Sequence, residues 1–217
     1  MKVVITSATE KEVHQIKQRL QQLEWKRKSV QISFHLSGVG ILASCFSIAK
    51  LIFEDRPDLI IQAGIAGTFN HSFDLGKVIA VKSEILADTG VEENGGFQDL
   101  FDLNLQKEDE FPFEGRKLVN HHLPAFNYLG LDEVAGITIN EITTRPVRTS
   151  DLINKYKADI ESMEGGALHY CCLQTNTTFI QIRSISNYIG DRDKSKWNFK
   201  DSLSNLTETI IDYIGYL

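Results

Sequence analysis

The chain has 217 residues, of which 42% are hydrophobic and 24% are charged, a balance that is ordinary for a globular protein. Its formal net charge of −6 and its pI near 5.5 argue against a nucleic-acid-binding protein, which usually carries a basic stripe. No segment approaches the ~20 apolar residues of a membrane span, so neither nucleic acid nor a membrane is expected as a partner.

The predicted elements alternate between strands and helices along the chain. Short apolar or alternating runs predict strands, and apolar residues three and four positions apart predict amphipathic helices. This alternation is typical of an α/β fold with helices on both faces of a sheet. We expect a single domain over residues 1–217, with three α/β/α layers around a central, mixed and largely parallel sheet. The predicted strands are Lys2–Thr6, Ser29–Leu36, Leu59–Ala63, Val78–Leu86, Glu133–Ile139 and Thr178–Ile185, and the predicted helices are Glu10–Leu20, Ile41–Phe53, Met163–Leu173 and Leu203–Tyr216.

Two segments in the middle of the chain lack such a pattern. Gly95–Leu105 is expected to begin as a loop. Lys107–Arg116 is charged and contains Pro112, which predicts an irregular surface segment.

Cysteine and histidine usage bears on compartment and cofactors. The three cysteines form no framework spacing, which favours reduced thiols in a cytoplasmic protein. Cys171 and Cys172 lie on an apolar helix face and are expected to be buried and inert. The chain enters its first strand directly after Met1-Lys2, without the features of a signal peptide. The six histidines show no metal-ligand spacing, so neither a metal nor a cofactor is expected.

Two glycine-bearing turns follow predicted strands. Residues 37–40 read SGVG, and residues 63–67 read AGIAG. Such turns let backbone N–H groups approach an electron-rich ligand closely, although plain tight turns are an equal alternative. We predict that Gly38 and Gly64 lie against the substrate. Neither turn completes a dinucleotide or phosphate-loop fingerprint, which argues against a nucleotide-cofactor domain.

Three further segments place polar side chains at the ends of predicted elements. Residues 8–13 read ATEKEV, residues 160–165 read IESMEG and residues 183–187 read RSISN. Together with the glycine turns, and in this order, they resemble the nucleosidase branch of the nucleoside phosphorylase/nucleosidase superfamily. The resemblance covers nearly the whole chain and implies the fold of that superfamily.

A narrower resemblance rests on three other segments. ADTGVE at residues 87–92, GFQDLF at 96–101 and SNYIGDRD at 186–193 are similar to the futalosine hydrolase family. That family releases hypoxanthine from futalosine in the alternative menaquinone pathway. The resemblance implies a small nucleoside-like substrate and a homo-oligomer, dimer or higher, with the helix Ile41–Phe53 as a candidate contact surface. Methylthioadenosine/S-adenosylhomocysteine nucleosidase, purine nucleoside phosphorylase and a catalytically silent nucleoside-binding module stay open as alternatives.

The resemblance assigns roles to carboxylates near two helix starts. Glu12 matches the residue that orients and deprotonates the attacking water, a general base worth typically 10²–10⁴-fold. Glu164 matches the glutamate that holds the ribose hydroxyls, and Met163 matches the methionine that packs against the sugar. The alternatives are a dipole-favoured surface charge for each glutamate and a core gap-filler for Met163. Glu10 is a neighbour with no assigned task.

Asn187 departs from the pattern of the adenine-specific nucleosidases, which have aspartate at this position. An amide offers an acceptor and two donors but does not titrate. It suits a 6-oxopurine such as hypoxanthine better than adenine, and 6-oxopurine phosphorylases also carry asparagine here. The source of the leaving-group proton stays open, with Asp191 and Asp193 as candidates and as equally good surface charges.

The nucleophile and the base pocket follow from the same resemblance. Residues 61–64 read IQAG, without the arginine by which the phosphorylases bind phosphate, so water is the expected acceptor. Residues Thr138, Ile139 and Asn140 match the segment that frames the base. Ring stacking by Phe97 or Phe101 is an alternative to their burial in the core. Futalosine also carries a carboxylate. The group that would bind it stays open between Arg192, Arg145 and the backbone amides of the glycine turns.

Overall fold

The computed structural model describes residues 1–23, 29–93, 95–191 and 193–217. Every predicted strand and helix is present; Val78–Leu86 has the predicted bounds, and each of the others has at least one end shifted by one to five residues. The elements in chain order are β1 (Lys2–Ser7), α1 (Glu10–Gln22), β2 (Gln31–Leu36), α2 (Ile41–Asp55), β3 (Leu59–Thr68), β4 (Val78–Leu86), β5 (Gly90–Glu93), β6 (Gly96–Asp99), β7 (Leu118–Val119), α3 (Leu123–Phe126), β8 (Glu133–Thr138), α4 (Pro146–Tyr156), β9 (Ile160–Ser162), α5 (Gly165–Thr175), β10 (Phe179–Tyr188) and α6 (Phe199–Gly215).

The sequence patterns do not predict β5, β6, β7, α3, α4 or β9. Five of these elements have only two to four residues, too few to show a period. The exception is α4, which begins at Pro146, where the missing N–H costs no helical hydrogen bond. Its buried residues Leu152 and Tyr156 are four apart and pack on the sheet.

The main sheet is mixed and largely parallel, as predicted. β1 pairs in parallel with β2 and β3, β3 with β10, β4 with β8, and β8 with β9. The antiparallel pairs are β4–β10, β3–β9 and β4–β7. Because β3, β10, β4, β8 and β9 each pair with two others of the five, they close into a ring. One apolar cluster takes residues from all five strands and fills that ring.

Helices cover both faces of the part of the sheet that contains β1. Val3 and Ile5 pack with α1 and α6 on one face. Val4, between them in sequence, packs with α2 and α5 on the other. The α/β/α layering is therefore confirmed. Within the described ranges, none of the helices combines the length and the apolar character that crossing a bilayer needs.

The adjacent cysteines of α5 are buried, as predicted. Burial, reinforced by Cys45, raises the pKa of the Cys171 thiol to about 12. Burial also raises the pKa of Cys172 well above its usual value. Both are therefore protonated at neutral pH and are poor nucleophiles.

Candidate active site

A cavity of about 550 Å³ lies at the carboxyl ends of β1, β3 and β10. Ligands in sheets of this kind bind outside the carboxyl ends of parallel strands. The loop after β8 contributes Ile139 and Ile142 to the wall, and the start of α6 contributes Phe199 and Leu203. Five residues predicted from the sequence line this cavity, namely Glu12, Ile139, Met163, Glu164 and Asn187.

Glu12 is held by the start of its own helix and by the neighbouring strand. One carboxylate oxygen, Oε2, accepts hydrogen bonds from the backbone N–H of Thr9 at 3.0 Å and from its hydroxyl at 3.1 Å. A glutamate three residues after a helix N-cap commonly reaches back in this way. The other oxygen, Oε1, accepts from the N–H of Ile65 in β3 at 3.3 Å. The carboxylate is thus fixed at the cavity wall with only 9% of the residue exposed.

Gly64 does not line the cavity; it lies in β3 next to the side chains of Arg183 and Glu12. A Cβ at this position would collide with Nη1 of Arg183 and lie 3.0 Å from Oε1 of Glu12. Glycine is needed here because the guanidinium group and the carboxylate both approach the backbone of β3. Its role is to leave room for these two side chains.

Glu164 stands at the N-cap of α5 and is 6% exposed. Its Oε1 accepts a hydrogen bond from the N–H of Gly40 at 3.1 Å, and its Oε2 lies 3.8 Å from Nη1 of Arg183. Burial raises the pKa of Glu164, an effect that Arg183 opposes and the nearby Glu12 reinforces. The first glycine turn, residues 37–40, therefore contacts the site through Gly40, whose N–H holds this carboxylate.

Arg183 is the positioning residue that sequence reasoning did not single out. It is 2% exposed in β10 and donates to the side-chain oxygen of Gln62 at 2.9 Å and to the carbonyl of Ile65 at 3.3 Å. Buried arginines need such partners because an unpaired buried charge is costly. The available signal was a charged residue in the middle of the apolar strand 179–185.

Asn187 lies one residue before the end of β10, with its amide group close to Gly67. Its Oδ1 accepts from the hydroxyl of Ser186 at 2.8 Å, and its Nδ2 donates to the carbonyl of Tyr188 at 3.3 Å. Within the described part of the chain, these bonds leave the amide one lone pair and one N–H for a ligand. The side chain thus has both kinds of hydrogen-bonding group available at the cavity.

Three other predicted binding residues lie outside the cavity wall. The hydroxyl of Thr138 is fully buried and donates to Oε2 of Glu84 at 2.8 Å. The amide of Asn140 donates to Oδ1 of Asp88 at 3.2 Å. Gly38 has φ +80°, in the left-handed region that favours glycine, so it shapes its turn. Thr138, Asn140 and Gly38 therefore support the loops around the cavity.

The candidate proton donors Asp191 and Asp193, and the candidate Arg145 for the substrate carboxylate, do not line the cavity. Asp191 pairs with Lys196 at 2.9 Å, and this bond lowers the pKa of the carboxyl group. Hydrogen bonds from Ser195 lower the pKa of Asp193. Both carboxyl groups are therefore ionised at neutral pH and are poor acids. Arg145 lines a separate cavity beside α4, and Arg192 lies outside the described residues.

Two aromatic side chains near the start of α6 line the cavity. Trp197 and Phe199 have ring centroids 5.2 Å apart, and the Trp197 indole donates to the carbonyl of Asp191 at 2.9 Å. Phe101 is instead packed in a core cluster, and Phe97 lies beside Lys155 at the other cavity. Trp197 and Phe199, and not the predicted Phe97 or Phe101, are therefore aromatic residues of this cavity's wall.

The cavity is acidic. Of the described residues around it, Lys11 is the one with a positive charge, whereas Glu12, Glu161 and Glu164 carry carboxyl groups. Arg183 is committed to Gln62, Ile65 and Glu164, as described above. An anionic nucleophile such as phosphate would meet unfavourable charge here.

Comparison with known proteins identifies similar chains. A family model described as "Phosphorylase superfamily" matches residues 2–214. The futalosine hydrolase of Thermus thermophilus is 27% identical over 177 residues, which cover 80% of this chain and 77% of that protein. The 5′-methylthioadenosine/S-adenosylhomocysteine nucleosidase of Bacillus velezensis is 25% identical over 235 residues, which cover 99% of this chain and 98% of that protein.

A solved structure supports the fold independently. The crystal structure of the Helicobacter pylori 5′-methylthioadenosine/S-adenosylhomocysteine nucleosidase with butyl-thio-DADMe-Immucillin-A superposes with a TM-score of 0.82. The alignment covers 100% of this chain and 99% of that chain at 15% identity. At this identity the likeness establishes the fold.

Proposed function

The chain belongs to the phosphorylase superfamily, and we propose that it is a futalosine hydrolase that releases hypoxanthine and dehypoxanthine futalosine in the alternative menaquinone pathway. The futalosine hydrolase and the methylthioadenosine/S-adenosylhomocysteine nucleosidase to which it is similar are both hydrolases of N-glycosyl compounds. The chain is accordingly a hydrolase that acts on N-glycosyl compounds. The choice of futalosine as substrate is the proposal.

The observation that carries the proposal is the non-titrating Asn187 in the same cavity as Glu12 and Glu164. The two carboxylates suit the water and the ribose of an N-glycosidic hydrolysis. An amide at the base can accept from a protonated ring nitrogen and donate to a 6-oxo group. This combination favours release of hypoxanthine over release of adenine.

The residues of the cavity suggest the following division of work. Glu12 accepts a proton from water as the water oxygen bonds to the anomeric carbon, and the base leaves with the electron pair of the broken bond and takes up a proton from solvent. Glu164, fixed by Gly40 and Arg183, accepts hydrogen bonds from the ribose hydroxyls. Asn187 hydrogen-bonds the departing base. Met163 packs beside the sugar.

Water is the proposed acceptor because the cavity is acidic. Gln62 stands in the segment where the phosphorylases have a phosphate-binding arginine, and it accepts a hydrogen bond from Arg183. The arginine of this region is therefore engaged in holding the site together. Phosphorolysis would need a cation that faces the sugar.

Methylthioadenosine/S-adenosylhomocysteine nucleosidase is the second candidate. It is favoured by the alignment with the Bacillus velezensis nucleosidase, which spans almost the full length of both chains. Asn187 speaks against it, because an amide donates hydrogen bonds but does not titrate and so does not act as the acid for an adenine leaving group.

Incubation with futalosine, inosine and methylthioadenosine in phosphate-free buffer tests the proposal. We expect release of hypoxanthine from futalosine, measured by chromatography, at a rate that added phosphate does not raise. In Asn187→Asp the ratio of adenine release to hypoxanthine release should rise, because a carboxyl group supplies the proton that adenine needs. Faster turnover of methylthioadenosine than of futalosine by the unaltered protein would support the second candidate instead.

The proposal extends to a cytoplasmic homo-oligomer. The helix α2 exposes Leu42, Phe46 and Phe53, whose exposed fractions are 86%, 74% and 71%. A row of large exposed apolar residues is typical of a protein contact surface. The helix therefore suits self-association.

A further inference from the structure

Lys11 is a charged residue of the cavity wall to which the roles above give no task. It is the second residue of α1 and is exposed. Within the described part of the chain its ammonium group has no ion-pair or hydrogen-bond partner, whereas Lys17 of the same helix pairs with Glu10 at 2.8 Å. A cation in the first turn also opposes the helix dipole. Helix stability therefore does not account for Lys11, and its charge is available to a ligand.

The cavity extends across the carboxyl ends of several neighbouring strands. In the sheet, β1 lies between β2 and β3, and β3 pairs with β10. Asn187 of β10 lines one side of the cavity, and Thr9 and Val39, which follow β1 and β2, line the other. With strands about 4.8 Å apart, β1 and β10 are separated by roughly 10 Å. The cavity can therefore hold a nucleoside lengthwise, with Lys11 on the β1 side and Asn187 on the β10 side.

The proposed contacts of the nucleoside orient its 5′ substituent. Asn187 takes the base at C1′, and Glu164 takes the hydroxyl groups at C2′ and C3′. Glu164 is also tied to the β2 side, because its Oε1 accepts a hydrogen bond from the N–H of Gly40, the residue after Val39. C4′, which carries the 5′ carbon, lies across the ring oxygen from C1′. The 5′ substituent therefore extends away from Asn187, toward the side of the cavity that contains Lys11.

We propose that Lys11 is a specificity-determining residue that binds a carboxylate on the 5′ substituent of the nucleoside. The long, flexible side chain of lysine and its three N–H groups suit a ligand group at the edge of a cavity. Val39 and Phe199 are exposed in the same wall and offer apolar surface to the rest of the substituent. This inference rests on the proposed function, which places the base at Asn187 and includes a substrate that carries a carboxylate.

The charges of the cavity favour a carboxylate over a phosphate at this position. Glu12, Glu161 and Glu164 make the cavity acidic, and Lys11 is the cation that its described wall contributes. A carboxylate brings one negative charge, which a single ammonium group can balance. A phosphate monoester brings nearly two at neutral pH, and the excess would be unbalanced beside the glutamates. A nucleoside 5′-monophosphate is therefore expected to be a poor substrate.

Futalosine and its methyl ester differ by this one charge and test the inference directly. We would measure kcat and KM for both, and for inosine 5′-monophosphate, by chromatography of the released hypoxanthine. The unaltered protein should show a kcat/KM for the acid about 10-fold above that for the ester, as expected for one charge-assisted hydrogen bond. The difference should shrink at high ionic strength. Equal use of acid and ester would overturn the inference without any variant, as would faster hydrolysis of the 5′-monophosphate than of futalosine.

Lys11→Met removes the charge and keeps an unbranched side chain that favours a helix. The acid-to-ester ratio of kcat/KM should fall from about 10 to about 1, mainly through KM, because the contact exists in the bound substrate as well as in the transition state. Lys11→Arg should keep the ratio. Lys200→Met is the matched control, because Lys200 is likewise an exposed lysine at the second residue of a helix, α6, but does not line the cavity. It should show the ratio of the unaltered protein.

The outcomes separate the inference from the proposed function. If the unaltered protein releases hypoxanthine from futalosine but Lys11→Met keeps the acid-to-ester ratio, Lys11 does not bind the carboxylate and the proposed function stands. If the unaltered protein hydrolyses methylthioadenosine faster than futalosine, both fail. Thermal unfolding checks that each variant is folded, and Lys11→Met should be no less stable than the unaltered protein, because it removes a cation from the first turn of α1.

Discussion

Two glutamates near the start of α1 have opposite surroundings. Glu10 is exposed and pairs with Lys17 on the helix surface at 2.8 Å. Glu12, two positions later, is buried against Thr9 and β3 at the cavity wall. Sequence alone gives both a dipole-favoured place in the first turn of a helix. The three-dimensional fold distinguishes them.

Glu12→Gln should lower kcat by about 10²- to 10⁴-fold with little change in KM, because an amide cannot take a proton from water. The helix start should survive, since glutamine at this position also bonds back to the N-cap N–H. Steady-state hydrolysis of futalosine, followed by chromatography, measures both constants. Glu10→Gln is the matched control and should keep full activity. A Glu12→Gln enzyme with normal turnover would remove Glu12 from the role of general base.

At the scale of single residues, the sequence predicts several side chains that line the cavity and misses those that hold them in place. Met163, Glu164 and Asn187 could be found because each belongs to a short motif. Arg183 belongs to the same motif as Asn187, but its role could not be predicted, because that role lies in contacts with β3, far away in the chain. Gln62 of β3, which accepts one of these hydrogen bonds, is predicted only as part of a strand.

At the scale of elements, the start of α5 packs unusually closely on β4 and β10. A Cβ on Gly165 would collide with Oε1 of Glu84 and lie 2.5 Å from Nε2 of Gln181. These two side chains are buried and hydrogen-bonded to each other at 2.9 Å. Glycine at the first position of α5 therefore sets how closely the helix, and with it Glu164, approaches the sheet.

Gly165→Ala should lower the free energy of unfolding by about 1–3 kcal/mol, because the added methyl group must displace well-packed polar side chains. In an open helix position the same change would be stabilising by up to about 1 kcal/mol. Gly215→Ala provides that control, since a Cβ there meets nothing within 4 Å. Urea denaturation measures both variants. Equal stability of the two would show that α5 can shift without cost.

Element prediction succeeds where the chain has a long, regular pattern. The strand β4 has the predicted bounds, whereas β3 continues past the predicted end at Ala63 to Thr68. The residues beyond Ala63 include two glycines, which a strand pattern does not anticipate. Closure of five strands into a ring was also unpredictable, because it depends on the three-residue strand β9, which pairs with β3 and β8.

At the scale of the whole molecule, two buried titratable groups have opposite effects on how stability changes with pH. Burial raises the pKa of Glu84 to about 7, from an ordinary value of 4.5. Burial lowers the pKa of His169 to about 4, from 6.5. For Glu84 the native state binds the proton more tightly, so stability is lost as pH rises from 4.5 to 7. For His169 the neutral form is favoured, so stability is lost as pH falls from 6.5 to 4.

Glu84→Gln should therefore change how stability depends on pH, whatever constant effect it has on packing. Relative to the unaltered protein, its free energy of unfolding should rise by about 3 kcal/mol between pH 4.5 and 7.5, because the cost of ionising Glu84 disappears. The contribution of His169 is common to both proteins and cancels in the comparison. Urea denaturation at four pH values across this range gives the difference directly.

The exposed Glu208, which pairs with Arg19 on the surface at 3.4 Å, supplies the control for that comparison. Glu208→Gln should follow the unaltered protein in parallel over the whole range, since surface ion pairs contribute little. If the Glu84→Gln profile is also parallel, Glu84 is ionised without penalty. The layer beneath α5 would then be more polar and better solvated than its burial implies, and Glu164 would rest on a less rigid support.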